Sequence, residues 1–290
     1  MRFAKVYLEI TNQCNRRCAF CPGTGRSPGF LSIAQFEQLL RKLRGYTKFL
    51  YFHLMGEPLL HPDLAAFLDM AGQFGFRVIL TTNGTLLEKR STELLRADAL
   101  HKVNVSLHSF EADARGVFEA YVSACLSFAK QAAATGILVN LRLWNLDAAH
   151  LRGLNERNDE IMRMLQTVFP APWSLARGGQ KLTDRVYLSR SERFAWPSLT
   201  APDLGESRFC YGLKDQIGVL CDGTVVPCCL DHEGDLALGN LFTEDLAEIL
   251  EKPRSQAILR GFQRNKAVEE LCRRCGFSTR FSPEEKPVSG

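Results

Sequence analysis

Residues 4–21 read AKVYLEITNQCNRRCAFC. The apolar, β-branched run at 4–10 predicts a first strand, and Cys14, Cys18 and Cys21 follow it directly. The three cysteines therefore sit in a loop at a strand's C-terminal end, where βα barrels carry their catalytic loops. Spacings of four and three could place all three thiols on one helix face. The strand before them and Pro22-Gly23 after them favour a loop. A four-iron cluster normally takes four Cys ligands. Three would leave one iron open, like the open position of a catalytic metal site, whereas a zinc site more often uses paired CxxC units.

Outward from this motif, strand-like and helix-like patterns alternate. Strands are predicted at 4–10, 48–55, 76–82, 102–108 and 136–144, and helices at 32–44, 63–74, 86–97 and 113–134. A further helix at 157–169 and a strand at 185–189 complete six βα units, with loops at 170–182 and 195–208. The helix at 113–134 carries Phe118, Tyr121, Val122, Cys125, Phe128, Ala129 and Ala132 on one face, so Cys125 reads as a core residue. The fold class is α/β: a partial (β/α)6 TIM-like barrel with a small C-terminal cysteine-rich domain. Two strands alternate unusually. Asn104, Ser106 and His108 oppose Val103, Val105 and Leu107, and Asn140, Arg142 and Trp144 oppose Val139, Leu141 and Leu143. A closed barrel fills its interior with branched apolar side chains. These polar faces predict an open barrel lined for a polar ligand, with His108 a candidate substrate contact.

Composition narrows the class. The chain has 290 residues, 46% hydrophobic and 23% charged, and no apolar run long enough to span a membrane. The N-terminus lacks a cleavage site, so the expectation is a cytoplasmic protein. Ten cysteines in two dense groups, with Cys125 alone between them, favour cluster or metal ligation over a secreted disulfide framework. The net charge of +4 gives no reason to expect nucleic acid as a partner. All of that excess lies at 251–290, which reads as a solvated basic face.

Cys14-Asn-Arg-Arg-Cys18-Ala-Phe-Cys21 resembles the signature of the radical S-adenosylmethionine (SAM) superfamily. Met55-Gly56-Glu57-Pro58, after the second strand, is similar to that family's glycine–glutamate motif, with Met in place of a first Gly. The resemblance implies a SAM-binding 4Fe-4S cluster on Cys14, Cys18 and Cys21, with Glu57 holding the SAM amino group. Asn83 of Thr82-Asn83-Gly84 and Ser106 match positions that approach the SAM ribose and methionine, and Arg142 one that can pair with the SAM carboxylate. A buried Arg142 needs an anionic partner in any case. Glu9 is the alternative to SAM.

Cys210, Gly223, Cys228 and the pair Cys272–Cys275 look like the twitch domain, a shortened relative of the SPASM domain holding one auxiliary 4Fe-4S cluster. No cysteine follows Cys275, so a second auxiliary cluster is not expected. Asp222-Gly223 predicts a two-residue hairpin that pairs Cys221 with Thr224. Cys228 and Cys229 then face opposite ways, and Cys221 lies about 13 Å along the strand from Cys228. Cys210, Cys228, Cys272 and Cys275 are therefore the expected ligands, with Cys221 and Cys229 as packing residues. A zinc ribbon on the same four is the rival.

These readings divide the chain into a radical SAM core at 1–208 and an auxiliary iron–sulfur domain at 209–290. The resemblance implies an enzyme that cleaves SAM to a 5′-deoxyadenosyl radical and abstracts hydrogen from a small-molecule or peptide substrate. It implies an external electron donor such as flavodoxin or ferredoxin and no membrane partner. The first strand begins within a few residues of Met1, which leaves no room ahead of it for a leader-peptide-binding domain and favours a small substrate or a separate recognition protein. The rivals are a non-catalytic electron carrier or sensor, which would need no Glu57, and an RNA-modifying enzyme, whose RNA binding would fall steeply with salt.

Overall fold

The computed structural model describes residues 2–110, 115–146, 151–176 and 179–281. In chain order the elements are β1 Lys5–Leu8, α1 Ile33–Leu43, β2 Phe49–Phe52, α2 Leu64–Gln73, β3 Arg77–Thr82, α3 Leu87–Arg96, β4 Leu100–Ser106, α4 Arg115–Ala134, β5 Leu138–Leu146 and α5 Leu151–Val168. There follow β6 Ser174–Ala176, β7 Gly179–Thr183, β8 Val186–Glu192, β9 Gln216–Val219, β10 Thr224–Val226, β11 Gly239–Asn240, α6 Leu246–Glu251, α7 Pro253–Gln263 and α8 Glu270–Arg273. Parallel strands alternating with helices give the expected α/β class. Among the described residues no helix is long and apolar enough to cross a membrane. The chain divides into two compact units: residues 1–13, 22–56 and 194–290, and residues 14–21 and 57–193.

In the first unit β1 pairs in parallel with both β2 and β9. β10 then pairs antiparallel with β9 and with β11. Ser32 and Gln35 form a capping box that starts α1, satisfying two of the amides a helix start leaves unpaired. Phe36, Leu39, Leu40 and Leu43 recur at helical spacing and are fully buried, and the Phe36 ring meets Phe52 of β2 edge-on at 5.6 Å. Burial of each such side chain stabilises the unit by roughly 1.5–3 kcal/mol.

The β9–β10 turn differs from expectation. Leu220, not Cys221, pairs with Thr224, and Gly223 N donates to Leu220 O at 2.9 Å. The loop therefore has three residues, with Gly223 at φ +85° in the left-handed position that closes such a turn.

In the second unit β3, β4, β5 and β8 run parallel. β7 and β6 extend this run antiparallel beyond β8, where the 170–182 loop was predicted, with β7 ending one residue past it at Thr183. Val103, Val105, Val139, Leu141, Leu143, Val186 and Leu188 all lie on one buried face of these strands. The α4 stripe is buried throughout, Cys125 included. β4 stops at Ser106, so His108 is placed by a 3-10 turn, Leu107–Phe110, and not by strand alternation.

Candidate functional site

The cysteine loop leaves β1 as predicted, and none of its thiols is in a disulfide. Arg16 N and Asn83 Nδ2 lie 3.4 and 3.8 Å from Cys14 Sγ, both directed as donors. Cys18 Sγ faces Ser109 O at 3.8 Å. Burial raises the Cys14 thiol and pushes Cys18 up to about 11; the neighbouring cysteines of the triad add to both shifts. Among the described residues no three His, Cys, Asp or Glu side chains are arranged around a single metal ion. An iron–thiolate bond would deprotonate each thiol outright, and N–H donors aimed at sulfur tune the potential of such clusters.

Glu57 joins the Pro58–Leu60 turn to the end of β3. Its Oε2 accepts from Asn83 N at 2.7 Å and its Oε1 from Leu59 N at 3.1 Å, capping the 3-10 turn Pro58–Leu60. It is buried, not a surface acid, and burial raises its carboxyl from 4.5 to about 7 against the hydrogen bonds it accepts. Asn83 is the hub. Its Nδ2 reaches Asn15 Oδ1 at 2.9 Å as well as Cys14 Sγ, and its Oδ1 takes Thr85 N and Thr85 Oγ1. Gly84 has φ +84°, and a Cβ there would lie 2.7 Å from Cys125 Sγ and 3.1 Å from Tyr121 Oη. That close approach lets Tyr121 Oη donate to Asn83 O at 2.6 Å, with Ser106 O at 3.3 Å. Asn15 and Thr85 were missed in the sequence, and Tyr121 was read there only as part of an apolar helix face. Only the polar flanks of the cysteine and Asn-Gly motifs could have pointed to the first two.

Ser106 of β4 is directly opposite Arg142 of β5. The Arg142 guanidinium stacks 4.5 Å from the Trp144 ring. His108 is buried against Phe20 of the cysteine motif at 4.7 Å between centroids, with Nδ1 near Arg142 O and Trp144 N. Burial pushes it down to about 4, so it is neutral near pH 7. The second unit thus brings Cys14, Cys18, Cys21, Glu57 and Asn83 together, with Ser106 and Arg142 paired on adjacent strands. Within the first unit both Glu9 oxygens accept from Arg26, with Met55 N and Cys221 N adding one bond each.

The C-terminal cysteines gather in the first unit. Burial holds Cys228 well above its ordinary value, and Cys210, Cys229, Cys272 and Cys275 all act on it as neighbouring charges. Gly212 N donates to Cys210 Sγ at 3.3 Å. Cys272 lies in α8, with Cys275 just after it, where Cys275 N bonds to Cys272 O at 3.4 Å. Cys229 turns instead onto the apolar cluster of Tyr7, Leu54, Leu220 and Val226 and is hydrogen-bonded to Tyr7. Cys221 lies in a more polar setting than a packing role implies: its N donates to Glu9 and its Sγ is 4.0 Å from Arg26 Nη1. Four thiols of this kind have the chemistry of a 4Fe-4S cubane donor set.

Comparison with known proteins follows the same division. The radical SAM superfamily profile matches residues 8–165, and the profile of the SPASM iron–sulfur cluster-binding domain matches residues 210–276. A probable GTP 3',8-cyclase of Methanocella arvoryzae is 30% identical over 173 residues, covering 59% of this chain and 55% of that protein. The chain thus spans about half the length of this curated relative. Among solved structures, BtrN in complex with AdoMet and 2-DOIA has a TM-score of 0.62 at 20% identity, covering 95% of this chain and 93% of that one. Streptococcus suis SuiB bound to precursor peptide SuiA has a TM-score of 0.58 at 15% identity, covering 95% and 71%. The structural likeness shows the fold, a partial TIM-like α/β barrel followed by a cysteine-rich domain.

Proposed function

The chain belongs to the radical SAM superfamily, and from that premise we propose that it cleaves SAM reductively and takes a hydrogen atom from a small-molecule or peptide substrate, assisted by one auxiliary 4Fe-4S cluster. When bound, the reduced cluster and SAM supply one-electron cleavage of the sulfonium and so a 5′-deoxyadenosyl radical; the protein's part is binding, orientation and exclusion.

On this reading Cys14, Cys18 and Cys21 hold three irons and leave the fourth for SAM. Glu57 orients the SAM amino group, Asn83 and Ser106 approach the ribose and methionine, and Arg142 pairs with the carboxylate. Buried neutral His108 and Phe20 shield the site from water. Cys210, Cys228, Cys272 and Cys275 hold the auxiliary cluster. The core extends over 1–208 and the auxiliary domain over 209–290. Flavodoxin or ferredoxin is the electron donor.

The observation that carries this reading is Asn83. Its side chain donates to Cys14 Sγ while its backbone N–H is held by Glu57, so one residue sets the cluster loop and the SAM motif in a fixed relation. The test is anaerobic reconstitution and dithionite reduction with SAM. Wild type should form 5′-deoxyadenosine, and the variant with Cys14, Cys18 and Cys21 all changed to Ala should not. Undiminished cleavage by that variant would sink the proposal.

A further inference from the structure

The face of β5 and β8 opposite the buried apolar one carries polar groups that no role above uses. Asn140 is only 8% exposed. Its Nδ2 donates to Ser189 Oγ at 3.2 Å and lies 3.5 Å from Asn104 Oδ1. The amide cannot be reversed without loss, because Asn104 presents its oxygen there, its own Nδ2 being directed at Leu80 O and Thr81 Oγ1. Asn140 Oδ1 is then a buried acceptor with no hydrogen-bond partner. Native proteins rarely leave such an atom unsatisfied, and each instance calls for an explanation such as a water or ligand.

Ser189 supplies the complement. Its Oγ accepts from Asn140 Nδ2 and from Trp144 Nε1 at 3.3 Å. A hydroxyl has two acceptor lone pairs and one proton. Both lone pairs are therefore engaged, and the Ser189 proton is the group left to give. An unsatisfied acceptor and an available donor thus lie side by side, linked through the Asn140 amide. A carboxylate cannot donate to Asn140 Oδ1, and an ammonium cannot accept from Ser189. A single neutral hydroxyl does both. Trp144, which fixes Ser189 through its indole N–H, adds an aromatic edge beside the pair.

We propose that Asn140 and Ser189 form a substrate subsite for a neutral hydroxyl group, which donates to Asn140 Oδ1 and accepts from Ser189 Oγ. This rests on reading the chain as a SAM-cleaving enzyme and narrows its substrate to a hydroxyl-bearing molecule. A polyol and a serine side chain carry the same group, so the test includes both.

Saturation-transfer NMR on the cluster-loaded, SAM-bound protein would use myo-inositol, N-acetylserine amide and succinate as probes, with SAM affinity measured in the same samples. One of the two hydroxyl probes should bind, and which one identifies the source of the group. Succinate should not bind. Asn140→Ala and the gentler Ser189→Ala should each weaken the hydroxyl probe by about fivefold, the scale of one neutral hydrogen bond. Both variants should keep wild-type iron content and SAM affinity within about twofold, the same hydrogen-bond scale setting that margin. Binding unchanged in Ser189→Ala, preference for succinate, or binding of neither hydroxyl probe (a bridging water only) would overturn the subsite. Failure of the loaded wild type to bind SAM would instead overturn the enzymatic reading beneath it.

Discussion

Glu9 and Arg26 form a bidentate ion pair in the first unit, with Nη2 2.6 Å from Oε1 and Nη1 2.9 Å from Oε2. Glu9 is fully buried and also accepts from Met55 N at 3.2 Å and Cys221 N at 3.0 Å, while Arg26 Nε donates to His232 O at 2.7 Å. One carboxylate at the end of β1 therefore ties together the segments carrying Arg26, Met55 and Cys221. Removing one partner of a buried pair leaves an uncompensated charge, which costs about 3–5 kcal/mol, whereas replacing both is often nearly neutral. Arg26→Met should lower the urea midpoint accordingly, and Glu9→Gln with Arg26→Met should recover only part of the loss, because the new amide nitrogen must face Met55 N–H or Cys221 N–H. An Arg26→Met midpoint equal to wild type at unchanged slope would show that the pair does not hold these segments.

Gly84 makes a second, independent prediction. Its φ of +84° disfavours any side chain, and a Cβ would lie 2.7 Å from Cys125 Sγ. Overpacking of this kind costs typically about 1–3 kcal/mol. Gly84→Ala should destabilise the protein on that scale and weaken SAM binding by displacing Asn83. Cys125→Ala removes the sulfur it strikes, so the double variant should be less damaged than the sum of the singles. Strict additivity would mean that the backbone angle or the Tyr121 ring, and not Cys125, sets the cost.

The elements legible in the sequence were those whose partners lie close in the chain. The helix expected at 32–44 forms as α1, and the α4 stripe from Phe118 to Ala132 is buried as its period required. The cysteine loop was legible because a strand ran straight into it. β6 and β7 were not legible. They are short and partly exposed, with Leu175 at 91%, and they exist through antiparallel pairing with β8, not through an alternating apolar face. α5 begins at Leu151, ahead of the expected 157, because Gly153 and Asn155 are poor helix formers that hid its first turns. Glu9–Arg26 was invisible for a different reason: a contact between a strand end and a distant loop leaves no period, and the sequence offered Arg142 as an equal partner.

Glu57 gives SAM binding a pH dependence. Burial raises its carboxyl to about 7 from the ordinary 4.5. The folded protein thus binds more protons than the unfolded chain between these values, and this group's contribution to stability is full below 4.5 and falls as pH rises through 7. The N–H donors of the SAM amino group favour the ionised carboxylate, so they should pull this pKa back down. SAM affinity should therefore rise from pH 6 to pH 8, with proton release near the lower end. A hydrogen bond to a charged group contributes about 1.5–3 kcal/mol, so Glu57→Gln should weaken binding by about tenfold or more at pH 8 and flatten the profile. Calorimetry in two buffers of different ionisation enthalpy measures both quantities. A wild-type profile already flat across this range would remove Glu57 from the SAM site.

The last prediction counts irons. Cys228 feels Cys210, Cys272 and Cys275 as neighbouring charges, while Cys229 is bonded to Tyr7 in an apolar cluster and Cys221 lies beside Arg26. One cubane on the triad and one on Cys210, Cys228, Cys272 and Cys275 give about eight irons per chain. The triad variant should keep about four of these, and a variant with all four C-terminal ligands changed to Ala should also keep about four. That second variant should still form 5′-deoxyadenosine, because its SAM-binding thiols are intact. Zinc on the quartet would instead give about four irons and one zinc in wild type, and no iron in the triad variant. Cys229→Ala and Cys221→Ala should each retain the full iron content, whereas Cys228→Ala should lose the second cluster. Cys229 also acts on Cys228 as a neighbouring charge and is adjacent to it in sequence, so it is the alternative ligand the variants test. Loss of the auxiliary Mössbauer signal in Cys229→Ala, with Cys228→Ala intact, would move the ligand by one residue and turn β10's exit to the opposite face.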